Sequence, residues 1–207
     1  FIFTRQAADK VGATKMDRPE DVEPNPHTGK VYVACTNNTR RQPSEIDEAN
    51  PRANNKHGHI IAIDPLYDDH TSSRFTWRIV LIAGDPQDPT TYFNGFDKSE
   101  VSPISCPDNV AFDREGNLWI STDGNVLGSN DGLFRVPTEG PERGRVQQFL
   151  TVPFGAETCG PVVRDNRVLV AVQHPGETDD ATFEKPTSTW PHTDASPRPS
   201  VIVSYAK

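Results

Sequence analysis

Arg18, Glu20 and Asp21 fall in one short run, and an acid and amide return together at Asp108-Asn109, with a looser echo at Glu157. Carboxylate and amide oxygens gathered at one place suit hard cations such as calcium. An arginine beside them adds a planar fork of donors that matches phosphate or carboxylate. A site built from these residues would hold metals and an anion together. Each residue also has a purely structural use. Asp and Asn favour turns because their side chains bond nearby backbone donors, and Arg18 can simply pair with a neighbouring carboxylate. Repetition favours ligation at Glu20 and Asp108, because equivalent places in neighbouring units point to the same axis.

The elements that must position these residues are strands. The run Arg18-Pro19-Glu20-Asp21-Val22-Glu23 leads into Gly29-Lys30-Val31-Tyr32-Val33, and Pro107-Asp108-Asn109-Val110 leads into Gly116-Asn117-Leu118-Trp119-Ile120 in the same way. A third copy runs from Glu157-Thr158-Cys159-Gly160-Pro161 into Val168-Leu169-Val170-Ala171-Val172. Each copy turns and returns as an apolar, β-branched or aromatic stretch, as repeated antiparallel sheets do. The expected fold is all-β, with β-propeller blades at about 14–104, 105–153 and 154–207, whose inner strands surround a channel. Strands are expected at Val31–Cys35, His59–Ile63, Phe75–Ile82, Leu118–Ser121, Leu133–Val136, Val146–Val152, Val168–Gln173 and Val201–Tyr205. Phe1-Ile2-Phe3-Thr4 reads as a further strand, and Gln6 to Val11 as one helical turn. Three copies fall short of a closed ring, so the sequence reads as a fragment of a longer protein, about three blades of a six-bladed ring.

Three polar insertions, Thr39–Lys56, Gly84–Ser105 and Pro175–Pro199, are long for hairpin connections and read equally as recognition loops or solvated excursions. The run Asn50 to His59 is the most suggestive of them. His57-Gly58-His59 is left outside the site, His174 reads as a surface histidine in preference to one bordering the channel mouth, and Asp123-Gly124-Asn125 and Asn130-Asp131-Gly132 read as turns. Glu157 is expected to face the channel.

A formal charge of −8, from 21 basic and 29 acidic side chains, argues against nucleic acid as a general partner. No stretch has the 18 or so apolar residues needed for a membrane-spanning helix. The cysteines, Cys35, Cys106 and Cys159, lack paired metal or redox spacing. Cys106 and Cys159 occupy similar points of the repeat, yet two packing thiols is the simpler reading. Nucleophile-elbow, Walker and dinucleotide motifs are absent.

Five runs in order carry a resemblance: Met16 to Glu23, Asn50 to Asn55, Cys106 to Asp113, Val170 to Gly176, and Ser188-Thr189-Trp190-Pro191. Together they resemble the PhoX-type alkaline phosphatases of bacteria over nearly the whole chain. The resemblance implies a secreted, periplasmic or extracellular propeller phosphomonoesterase with ferric iron (Fe3+) and calcium (Ca2+) in its channel, acting on small phosphate monoesters. It places Arg18, Glu20, Asp108 and Asn109 in the active site, with Arg18 holding phosphate, and Glu20, Asp108, Asn109 and Glu157 as metal ligands. The family's iron-binding cysteine belongs to a motif outside this sequence, and none of the three cysteines matches it. The 207 residues alone are therefore expected to be weakly active or inactive. The rival readings are a calcium-dependent propeller lactonase or esterase and a non-catalytic propeller that binds a protein or glycan.

Overall fold

The structure, a computed structural model, describes residues 2–124, 126–194 and 196–206. The described residues form twelve strands in three antiparallel sheets, which bears out the all-β expectation. The first sheet runs β1 (Pro19–Pro24), β2 (Val31–Cys35), β3 (His59–Pro65), β4 (Phe75–Ile82) and β5 (Tyr92–Phe93), each strand beside the next in sequence. The second runs β6 (Pro107–Phe112), β7 (Leu118–Thr122), β8 (Gly132–Val136) and β9 (Gln147–Thr151). The third holds β10 (Glu157–Arg164), β11 (Arg167–Gln173) and β12 (Ser200–Tyr205).

The apolar runs form strands because their β-branched and aromatic side chains fill a pleated, half-buried surface. In β11 the alternation is regular, with Val168, Val170 and Val172 buried. The largest core joins the first two sheets through Tyr32, Ile60, Phe93, Ile120, Phe134 and Val146. A smaller cluster of Trp119, Leu133, Val163 and Val168 joins the second sheet to the third. Each such fully buried side chain contributes about 1.5–3 kcal/mol.

The first strands of the sheets pack side by side, β1 against β6 and β6 against β10. The repeat places a strand at each acid-bearing run, but the bounds of these strands are not among those expected, because they carry proline, glycine and acids that disfavour strands. Each tolerates them through a register shift, between Pro19 and Asp21, Pro107 and Val110, and Cys159 and Val162. Such bulges re-aim side chains and are common beside active sites. Two clasps then join the sheets. Asp21 Oδ2 accepts from the Val110 amide at 2.9 Å, and Asn109 Oδ1 accepts from the Gly160 amide at 2.8 Å.

The N-terminus departs from the expected strand. Ile2 and Phe3 lie in a turn, Thr4–Lys10 forms helix α1, and Phe1 lies outside the described residues. Arg5, Gln6, Ala7, Ala8 and Lys10 are good helix formers, and their local preference prevails over the short apolar opening. The helical reading near Gln6 holds. No helix among the described residues is long and apolar enough to cross a membrane.

Gly58, between the loop and β3, has φ of +76°, and a Cβ there would meet the Thr36 carbonyl oxygen at 2.2 Å and that of Cys35 at 2.3 Å. Left-handed strain and overpacking against rigid backbone add, so Gly58→Ala is expected to destabilise the fold by about 3 kcal/mol. A urea unfolding curve with an unchanged midpoint would contradict the close packing described.

Candidate active site

Two residues that open the site carry unusual backbone. Arg18 has φ of +47° and Cys106 φ of +54°, and each precedes a proline. Residues before proline favour extended conformations, and a left-handed non-glycine residue costs about 1–3 kcal/mol, so the surroundings must enforce both. They do so in the same way. The Thr36 amide donates to the Arg18 carbonyl, and the Asp123 amide donates to the Cys106 carbonyl, both at 3.0 Å. The Cys106 amide in turn donates to the His57 carbonyl at 2.8 Å.

From this kinked entry the Arg18 guanidinium reaches two carboxylates. Its Nε donates to Glu20 Oε1 at 2.6 Å and its Nη2 donates to Asp123 Oδ2 at 2.7 Å. Partial burial works against the charge, but the hydrogen bonds to Glu20 and Asp123 outweigh it and the pKa lies above its ordinary value. The side chain remains 45% exposed, so part of the donor fork faces solvent.

Asp108 sits at the bulge of β6, 7% exposed. Burial first, then the negative charges of Asp123, Glu20 and Glu157, push its carboxyl up to about 7, with Arg18 pulling the other way. Glu157 is also raised, by burial and then by Asp123, although Gln173 Nε2 donates to its Oε2 at 2.7 Å and opposes the rise. Asp108 thus lies within electrostatic reach of Arg18, Glu20 and Glu157. Asn109 follows a different path. Its Oδ1 accepts from the Gly160 amide, which fixes β6 against β10, and its backbone amide donates to Ser121 Oγ of β7 at 3.3 Å.

Asp123 is the residue that sequence reasoning missed. The Asp-Gly pair reads as a turn, and only the fold shows that it follows β7 and faces Arg18; Asn125 lies outside the described residues. The signal available was its place one residue beyond a strand paired with the Pro107 copy. Asp123 and Glu157 also line a cleft of about 310 Å³, together with Asp131, Phe154, His174 and Glu177. His174 Nδ1 lies 3.0 Å from Glu177 Oε2. Asp131, read as part of a turn, is buried and accepts from Thr122 Oγ1 at 2.6 Å and the Gly124 amide at 3.0 Å. His57 lies 3.0 Å from Ser105 Oγ, and His59 is fully buried, with burial lowering its pKa to about 4. His59 is therefore a core residue.

The donor chemistry fits hard cations, since crowded, partly desolvated carboxylates need positive charge. Glu20, Asp108 and Glu157 carry the oxygens that could hold such a cation. Among the described residues, however, no three His, Cys, Asp or Glu groups converge closely enough to hold a metal by themselves. Arg18 stands between Glu20 and Asp123, and Asn109 turns to the third sheet. The thiols do not fit a thiolate centre. Burial raises Cys35 to about 12, Cys159 to about 11, and Cys106 as well, and all three are free.

The first strands of three antiparallel sheets thus carry Glu20, Asp108 and Glu157, with Arg18 just before the first of them. The family is shown by comparison. The sequence profile of alkaline phosphatase PhoX matches residues 1–176, and the chain belongs to that family. Among solved structures it is similar to Pseudomonas fluorescens PhoX in complex with vanadate, a transition state analogue, with 32% identity and a TM-score of 0.80. The match covers 98% of this chain and 36% of that one, so the chain spans about a third of that protein's length. No curated protein matches.

The raised carboxyl of Asp108 sets a pH dependence in metal-free protein. Its folded pKa, about 7, exceeds the unfolded value near 4, so its stabilising contribution is complete below about 4 and is lost as pH rises through about 7. Asp108→Asn, which cannot ionise, is expected to flatten that decline. Thermal melts from pH 4 to 8 in a chelator would refute the assignment if wild type and variant ran parallel.

Proposed function

We propose that this chain forms part of the active site of a metal-dependent alkaline phosphatase that hydrolyses phosphate monoesters to an alcohol and inorganic phosphate. The observation that carries the reading is Arg18, held between Glu20 and Asp123 beside the raised carboxyl of Asp108. Family membership and the vanadate bound to the similar Pseudomonas fluorescens protein support it. The three sheets, with adjoining first strands, are read as blades of a propeller whose channel holds the site. Export to the periplasm or cell exterior belongs to the same proposal.

In this reading Arg18 pairs with the phosphoryl oxygens while Glu20 keeps its Nε, so the guanidinium presents a fixed edge. Glu20, Asp108 and Glu157 would hold the cations, read as Ca2+ and Fe3+, together with ligands beyond this sequence. Asn109, whose Oδ1 already accepts from Gly160, would add one lone pair at most. The metals would supply charge neutralisation and an activated oxygen nucleophile at neutral or alkaline pH. Asp123 holds the second arm of Arg18. The acidic surroundings explain why the arginine is needed: without it the phosphate dianion would meet a negative wall.

The full-length protein should hydrolyse p-nitrophenyl phosphate with added calcium and lose the activity on chelation. Glu20→Ala or Asp108→Ala should each reduce turnover by about 100-fold or more while the circular dichroism spectrum is kept. Arg18→Ala should raise the inhibition constant for inorganic phosphate by about 10- to 100-fold, as expected for loss of a charge-assisted bond. Lactone turnover without phosphatase activity would overturn the proposal.

A further inference from the structure

The long connection between β2 and β3 has no part in the proposed chemistry, yet it reaches the site from behind. Asp17, the residue before Arg18, is fully buried. Its Oδ1 accepts from Arg41 Nε at 2.6 Å and Asn38 Nδ2 at 3.0 Å, and its Oδ2 accepts from Asn55 Nδ2 at 3.0 Å. All three donors lie on that connection, and they are themselves tied. Arg41 Nη1 donates to the Glu45 carbonyl at 2.7 Å, while Asn55 Oδ1 accepts from the Gly58 amide at 3.0 Å and Arg52 Nη2 at 2.7 Å. The same connection carries the His57 carbonyl that receives the Cys106 amide. One loop therefore anchors the residue just before Arg18 and the residue two before Asp108.

A buried ion pair of this kind is weak evidence for stability, since well-packed apolar groups often serve as well. What it does supply is a fixed place. Arg18 adopts a left-handed backbone before a proline, which no local preference favours. With Asp17 held on one side and the Thr36 amide on the Arg18 carbonyl on the other, the backbone has one available course.

We infer that Asp17 is a positioning residue for Arg18: its bonds to Arg41, Asn38 and Asn55 hold the kinked backbone that aims the guanidinium between Glu20 and Asp123. The identity of the anion rests on the phosphatase reading, whereas the positioning does not.

The test uses the full-length protein. Asp17→Asn removes the charge and sets an amide group against the Asn55 donor. The inhibition constant for inorganic phosphate and KM should both rise by about tenfold, with bound calcium unchanged. In an Arg18→Ala background the same substitution should add nothing, because the two act through one group. Phenylglyoxal, which modifies arginine, should label Arg18 several-fold faster in Asp17→Asn, as mapped by peptide mass spectrometry. Asn38→Ala removes one donor only; it should show the same pattern on a smaller scale, and it decides the matter if Asp17→Asn fails to fold. Unchanged inhibition and labelling, or effects that add in the Arg18→Ala background, would overturn the inference. If wild type neither turns over p-nitrophenyl phosphate nor is inhibited by phosphate, the phosphatase reading falls. The labelling rate then decides alone, faster labelling upholding the positioning role and equal labelling refuting it.

Discussion

The bulge in each first strand is the constraint on which the site depends. A regular strand would send alternate side chains to opposite faces, and Glu20 and Asp21 would serve only the two sides of one sheet. The register shift lets Glu20 meet Arg18 while Asp21 reaches the neighbouring sheet, and at the second copy lets Asp108 enter the carboxylate group while Asn109 reaches the third. The two residues of each pair thus divide the work. One of each pair faces the chemistry and the other joins the sheets.

That division crowds negative charge around a single guanidinium. Asp108 responds with a raised pKa, Glu157 by taking a bond from Gln173, and Arg18 by serving two carboxylates at once. Such a cluster is costly unless something positive enters it, and its mutual repulsion is the electrostatic counterpart of a requirement for cations.

The outer strands were legible with their bounds and the inner ones only as positions in a repeat, for opposite reasons. Val168 to Val172 and Leu118 to Ser121 follow from β-branched and aromatic residues, whereas β1, β6 and β10 are broken by the prolines and acids that equip the site. Arg18, Glu20 and Asp108 could be found because each sits beside a proline in a repeated run, and the family resemblance gathered those runs in order. Asp123 could not, since a turn aspartate and a site aspartate look alike until the strand before it is placed. The pairing of Asp17 with Arg41 was equally hidden, because it closes across the loop and no period links them. The opening apolar residues misled because they precede a short stretch of stronger helix formers.

The clasps between sheets have a polarity that the repeat conceals. In both, the upstream sheet offers the acceptor two residues after Pro19 or Pro107, and the downstream sheet offers the amide. The corresponding place in β10, two residues after Cys159, is Pro161, whose side chain accepts nothing. Sheets that share an outline are therefore not interchangeable modules. Exchanging the second with the third would put a mute residue at a working joint.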